Sequence, residues 1–397
     1  MRGSFLFCLK IIKNGCPERS RRARNDRSQM KPTRPRSLSV DEGSGADVVD
    51  CALLKFYSIN LNRFGPKEAR VLYLGEEEVK GLIKMPEVVD LVGEAFRAQG
   101  AGLAPNQPRR RLHMPKGALQ VMYGGLSDQG YFGLKAYTTF PGIGVRFIFL
   151  LWNSETSELL ALMEANILGQ LRTGAASGAG ARLMAREDAR VAGLFGTGTQ
   201  ARSQLEALCC ARPLERVKVY SRSGEKREKF VDRMKDRVPA ELVAVETPAE
   251  AVKGCQIVCT MTTARDPVFD GADLEPGTTV VPAGSNRVTN REVDDETFRR
   301  AAEGRIATDD LKGAKIESGD LVRAVSAGAV TWGQVVEIGQ IAAGSMPGRG
   351  SADEINMFLS QGVAIEDVAI GAELYKRARA QGVGQDLPVE GTFKKAT

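Results

Sequence analysis

The sequence predicts an α/β protein in which a doubly wound parallel sheet follows a region of antiparallel strands. Three observations carry that prediction. Short β-rich runs alternate with helical runs over residues 191–307, the rhythm of parallel strands joined by crossover helices. Before residue 160, segments of alternating polarity are separated by Gly and Pro, as in an antiparallel sheet. Between the two, one apolar run passes straight into a glycine-rich turn and then a helical pattern.

The N-terminal part stands apart from both. Residues 1–40 hold eleven Lys and Arg against Glu18 and Asp26, a local +9; with +6 for the whole chain, −3 is left for the remainder. The folded part is therefore mildly acidic, which argues against a nucleic-acid footprint on its surface. Residues 1–69 read as a disordered basic extension, as a cleaved targeting peptide or as sequence upstream of a later start, and these alternatives stay open. Cytoplasmic placement is expected, or organellar placement if the segment is a targeting peptide. No apolar run approaches 18 residues, so no spanning helix and no membrane partner are expected.

Order is expected from residue 71, a short strand over 71–74, followed by a helix with Pro86 in its first turn. Val88, Leu91, Val92, Ala95 and Phe96 form its apolar stripe. Residues 119–123, 133–139 and 147–151 read as antiparallel strands. Residues 174–181 form a helix of Gly, Ala and Ser, where each glycine costs about 1 kcal/mol against alanine, so a close contact must offset it. Strands and helices then alternate to residue 320. After about Leu321 helices take over, notably over 364–380. The domain division read from this is 70–184 plus 321–390 for one unit and 185–320 for the parallel-sheet unit.

Seven cysteines at scattered positions and a single histidine, His113, give neither a disulfide framework nor a ligand set for zinc, so no metal is assigned.

The segment V-A-G-L-F-G-T-G-T-Q-A places Gly196, Thr197, Gly198, Thr199, Gln200 and Ala201 between a strand and a helix. The first glycine allows a tight turn, the second lets a pyrophosphate reach the backbone, Ala201 permits close packing, and the helix start supplies free N–H groups. About 20 to 25 residues on, an NAD-specific site places a carboxylate on the ribose 2′-hydroxyl. Here the run is Tyr220, Ser221, Arg222, Ser223. A guanidinium flanked by hydroxyls matches a 2′-phosphate, so NADP(H) is expected over NAD(H).

At this point the sequence resembles the ornithine cyclodeaminase and mu-crystallin family. The carrying stretches are G-L-K-A-Y-T-T-F-P-G from Gly133, L-G-Q-L-R-T-G-A-A-S from Leu168, the glycine turn, A-G-S-N-R-V-T-N-R-E-V from Ala283, and D-E-I-N-M-F-L-S-Q-G from Asp353. The resemblance implies a Rossmann domain inserted into a discontinuous α+β substrate-binding and dimerisation domain, a homodimer, and a small α-amino or α-imino acid substrate. It implies that Arg110, Lys135 and Arg172 gather around the substrate carboxylate. Arg110 lies in a run of three arginines, so the register could shift by one, and a solvated basic run is the alternative. Thr173 and Gly362 are expected beside the cofactor. Asp309, after the last Rossmann strand, is a further candidate for catalysis, with a capping role as the alternative.

The sequence departs from the resemblance at Asn286, where ornithine cyclodeaminases of the family carry an aspartate thought to act as general base. An amide cannot accept that proton. Hydride exchange at the α-carbon, with Lys135 as acid or electrostatic stabiliser, is the expected chemistry, of the alanine dehydrogenase or cyclic ketimine reductase type. Ornithine cyclodeamination and non-catalytic NADP-dependent binding are the alternatives. Leu359 stands where the family more often has lysine.

Overall fold

The computed structural model describes residues 70–389, so the readings placed on residues 1–69 lie outside the described residues. The first sheet is built from β1 (Arg70–Leu74), β2 (Asn106–Met114), β3 (Gly117–Leu126), β4 (Tyr131–Phe140), β5 (Gly144–Asn153), β6 (Leu159–Glu164) and β15 (Gln385–Pro388), in the order β15-β1-β6-β5-β4-β3-β2. Strands β2 to β6 form an antiparallel meander, and β1 joins β6 in parallel. The last described strand, β15, closes this sheet antiparallel to β1.

Residues Glu76–Leu82 (α1) and Met85–Gly100 (α2) follow β1, and Pro86 occupies the first turn of α2 as its fixed φ allows. Of the apolar stripe of α2, Val88, Val92, Ala95 and Phe96 have no exposed surface and Leu91 is half-buried, while Val89 beside them is also fully buried.

The second sheet is parallel throughout. It comprises β7 (Val191–Phe195), β8 (Arg216–Tyr220), β9 (Glu241–Ala244), β10 (Ile257–Thr260), β11 (Thr279–Pro282), β12 (Arg305–Thr308), β13 (Val335–Glu337) and β14 (Asn356–Leu359), in the order β13-β12-β14-β11-β10-β7-β8-β9. Here the structure corrects the expectation that strands stop near Leu321. Two more strands follow, and β14 lies in the middle of the sheet between β11 and β12, so the parallel sheet extends well past residue 320. Three or four residues are too short a run to show a period, and β14 is buried on both faces, which removes alternation altogether.

The small-residue segment lies within a longer helix, α3 (Asn166–Met184). A Cβ on Gly174 would stand 2.3 Å from the Ser203 carbonyl oxygen, and one on Gly178 would stand 2.8 Å from that of Ala207. Both oxygens belong to α4 (Thr199–Ala211), so the two helices meet at backbone distance and that contact offsets the glycines' helix penalty. On another side Gly180 abuts the Phe358 ring of β14. Helix α3 thus joins the helix of the glycine turn to the parallel sheet and to α2.

The remaining helices are α5 (Gly224–Met234), α6 (Pro248–Val252), α7 (Asp295–Ala302), α8 (Leu311–Glu317), α9 (Gly319–Ser326), α10 (Ile338–Ala342) and α11 (Ala364–Gln381). Helix α11 packs on the inner face of β3 and β4, and ends at Gly382 in the left-handed conformation. Among the described residues no helix is long and apolar enough to cross a membrane, the four cysteines are unpaired, and no group of side chains is placed to hold a metal ion.

Candidate active site

The glycine turn follows β7. Gly196 has φ of 113°, and a Cβ there would stand 2.2 Å from the Met261 carbonyl oxygen, so both conformation and space require glycine. Gly198 faces open space and begins α4 with no side-chain cap, which leaves the first N–H groups of that helix free for a ligand. Ala201 is buried in the first turn.

In front of this turn lies a cavity of about 1070 Å³. Its walls are residues 196–200, residues 220–223 with Lys226, and the loop 261–268 with Gly284. Gly196, Thr197, Gly198, Thr199, Gln200, Ser221, Arg222 and Ser223 therefore share one cavity. At the end of β8 the groups facing it are Ser221, Arg222, Ser223 and Lys226, with no carboxylate. Ser223 caps α5 by accepting from the Lys226 N–H at 3.4 Å. Arg227 fixes this corner by donating to the Ser221 carbonyl at 2.7 Å and lying over the Tyr220 ring. The cavity's size and its free helix N–H groups suit a dinucleotide.

Thr173 and Gly362 are not among the residues lining this cavity. The Thr173 hydroxyl donates to the Gly169 carbonyl at 2.7 Å and its own carbonyl accepts from Gln204, so it serves the α3–α4 contact. Gly362, at φ of 80°, is packed against the Arg172 guanidinium, which a Cβ would meet at 2.1 Å.

Around Gly362 is a second cluster, between the inner face of the first sheet and the start of α11. Lys135 on β4 is buried and donates to both oxygens of Asp367, at 2.7 and 2.6 Å. Arg172, in the second turn of α3, pairs with Glu366 at 3.0 Å and with Asp367 at 3.5 Å. Burial, with the Arg172 charge next, lowers the Lys135 ammonium from the usual lysine range to about 7, although Asp367 works against that. Burial acts against the charge of Arg172 as well, but Asp367 and Glu366 outweigh it and hold its pKa above the ordinary value. Burial raises Glu366 to about 7 against the pull of Arg172, and its Oε1 atom is buried with no hydrogen-bond partner.

The third cation is Arg109. It is buried, pairs with Glu317 at the end of α8, and donates to the Gln361 carbonyl at 3.1 Å. Arg110, the residue expected here, is exposed. The pairing of β2 with β3 explains the exchange: Arg110 sits opposite Val121, whereas Lys135 sits opposite Met122, so Arg110 points to the outer face. Alternation along β2 then turns Arg109 and Arg111 inward on either side of Arg110, while the register slip between Gln107 and Arg110 lies before them. Arg111 also faces in, donating to Glu317 at 3.2 Å and to the Asn286 carbonyl at 2.9 Å.

Asp309 is buried beside this cluster, but its oxygens are taken by main-chain donors. One accepts from the N–H groups of Gln361 and Gly362, both at 2.6 Å, and the other from that of Asp310 at 2.9 Å. Burial raises it to about 6 against those hydrogen bonds. These donors make Asp309 the anchor of the 360–362 turn. Asn286 lies in the loop between β11 and α7, half-buried, with its main chain tied to Arg111.

Sequence reasoning reached Arg109 only as a one-residue shift from Arg110, and it did not single out Glu317, Glu366 or Asp367. The last two carried a signal: residues 363–372 read V-A-I-E-D-V-A-I-G-A, two acids inside an otherwise apolar helix, and such groups are buried only when paired.

Comparison with known proteins bears on this geometry. The family model described as Ornithine cyclodeaminase/mu-crystallin family matches residues 71–382. Alanine dehydrogenase of Archaeoglobus fulgidus is 37% identical over 323 residues, covering 80% of this chain and 98% of its own length. The structure of Thermococcus litoralis Delta(1)-pyrroline-2-carboxylate reductase in complex with NADH and L-proline is similar at a TM-score of 0.76 and 33% identity, covering 80% of this chain and all of that one. An archaeal alanine dehydrogenase dimer with bound NAD is similar at a TM-score of 0.74 and 36% identity, covering 80% of this chain and 99% of that one.

Proposed function

Because the chain belongs to the ornithine cyclodeaminase/mu-crystallin family, we propose that it is an NAD(P)-dependent oxidoreductase acting on the C=N or CH–NH2 group of a small α-imino or α-amino acid, with NADP(H) favoured over NAD(H). The carrying observation is the set of three buried cations, Arg109, Lys135 and Arg172, converging from β2, β4 and α3. A substrate carboxylate among them finds charge-assisted donors, and guanidinium groups grip it in a fixed orientation. When bound, the nicotinamide supplies or takes up a hydride. Lys135 places a proton at the substrate nitrogen during reduction and receives one during oxidation. Asp367 holds the Lys135 ammonium in place, and Arg172 fixes Asp367 in turn.

The relatives named alanine dehydrogenase and pyrroline-2-carboxylate reductase support this reading, and Asn286 weighs against cyclodeamination because an amide is no base. A substrate panel tests it. NADPH oxidation with a cyclic α-imino acid, or with a small 2-oxo acid plus ammonia, is expected. Proline and ammonia formed from ornithine with no net change in cofactor would select a lyase instead, and tight cofactor binding without any turnover would select a binding protein.

The cofactor preference rests on Arg222. Its replacement by alanine is expected to raise the Kd for NADPH about 10- to 100-fold, the worth of one charge-assisted contact, with NADH affinity nearly unchanged. Equal losses for both dinucleotides would refute the preference.

We also propose a homodimer formed through the outer face of the first sheet. Leu112, Met114, Leu119, Tyr123, Phe132 and Ile148 expose apolar surface there, more than an isolated sheet face ordinarily leaves to water. Ile148→Glu is expected to give monomers in sedimentation velocity; an unaltered dimer would place the interface elsewhere.

A further inference from the structure

One buried carboxylate has no part in the substrate cluster. Glu292, between β11 and α7, has no exposed surface. Its Oε1 accepts from the Thr262 N–H at 2.6 Å and the Thr262 hydroxyl at 2.7 Å, and its Oε2 accepts from the Gly284 N–H at 2.7 Å. Thr262 follows β10 and Gly284 follows β11, and both line the dinucleotide cavity. The main chain joins the same two segments, with Val268 N–H donating to the Glu292 carbonyl at 2.9 Å and Arg291 N–H to that of Ala264 at 3.1 Å. Behind the carboxylate, Asp320 of α9 accepts from the N–H groups of Glu292 and Val293 at 2.7 and 3.0 Å. The site is tight: a Cβ on Gly284 would stand 2.5 Å from Glu292 Oε1.

Three donors therefore converge on one carboxylate, and a hydrogen added to it would remove the negative charge that strengthens all three bonds. We propose that Glu292 is a positioning residue of the dinucleotide site, whose ionised carboxylate clasps the two loops forming one wall of the cavity and whose protonation loosens that wall and weakens cofactor binding. This rests on the nicotinamide-dinucleotide reading above.

The surroundings favour such a change near neutrality. Burial, and then the Asp320 carboxylate, raises Glu292 to about 7 against the hydrogen bonds from Thr262 and Gly284. The other ionisable neighbours hold a fixed charge. Cys259 of β10 is kept neutral by burial, Arg291 is engaged with Asp295, and Arg323, near Asp320, donates to the carbonyls of Arg265 and Thr289.

The test is the pH dependence of NADH binding, followed by nicotinamide fluorescence. NADH is the probe because it lacks the 2′-phosphate, whose own ionisation near 6 would obscure the result. In the unaltered protein Kd is expected to be flat above about pH 7 and to rise by up to about tenfold per unit below it, the limit for one linked proton. Glu292→Gln keeps only one accepting oxygen, so it is expected to bind NADH several-fold more weakly at pH 8 with no pH dependence. Asp320→Asn keeps an acceptor for the two N–H groups but removes the like charge, so the midpoint is expected to move to lower pH, a shift that a merely structural role would not produce. A Kd that does not change between about pH 6 and 8, or a slope retained in Glu292→Gln, would overturn the clasp. No NADH binding at any pH would overturn the dinucleotide reading and the clasp with it.

Discussion

Lys135→Ala is expected to lower turnover by roughly 10³-fold or more while leaving the Kd for NADPH within about threefold. The size follows from losing both a positioned proton donor and a buried positive charge beside the reacting nitrogen. Cofactor affinity is spared because the dinucleotide cavity is lined by other residues. The substitution also leaves the charge of the fully buried Asp367 to Arg172 alone, at 3.5 Å, and removing one partner of a buried ion pair destabilises by about 3–5 kcal/mol. The double variant Lys135→Met with Asp367→Asn removes that charge. It is expected to regain stability in thermal unfolding while staying inactive, which separates lost chemistry from lost folding. A Lys135→Ala protein that turns over normally would remove the lysine from the mechanism.

The same residue sets a pH dependence. Lys135 is lowered to about 7, so it carries its proton below that pH and loses it above. Reduction consumes the proton, so log kcat/KM for reduction is expected to be level below about 7 and to fall by one unit per pH unit above it. Asp367 holds the proton on, so Asp367→Asn is expected to move the break to lower pH.

Much of this arrangement is legible in the sequence, and the parts that are not share a cause. The glycine turn is legible because each residue answers a local demand: a positive φ at Gly196, open space at Gly198, close packing at Ala201. Lys135 stands out because a lysine in an apolar strand must face something that holds its charge. The acidic partners are set by tertiary structure instead. Glu317 approaches Arg109 from 208 residues away and Asp367 approaches Lys135 from 232, distances over which no periodicity operates. Strand β14 is hidden for a related reason: a four-residue run buried on both faces has no alternation to read. At Asp309 the place at a strand end is legible, but its main-chain donors in the 360–362 turn lie 52 and 53 residues on and are not.

The contrast between Arg109 and Arg110 is the sharpest expectation from that tertiary information. Arg109→Met is expected to raise KM for the imino acid by roughly 100-fold, the loss of a buried charge-assisted contact to carboxylate, while Arg110→Met changes KM by less than about twofold. The neighbouring residues have almost the same sequence context, so only the face of the sheet that each takes in β2 distinguishes them. Arg109→Met also leaves Glu317 with Arg111 alone, a pair at 3.2 Å that is partly open to solvent. Glu317→Gln is the control: it unties Arg109 without removing it, so KM is expected to move far less than in Arg109→Met. Steady-state kinetics on the three variants decides the matter. A large effect at Arg110 with none at Arg109 would mean that the strand presents the opposite face to the substrate, and the cationic site would then have to be rebuilt around Lys135 and Arg172 alone.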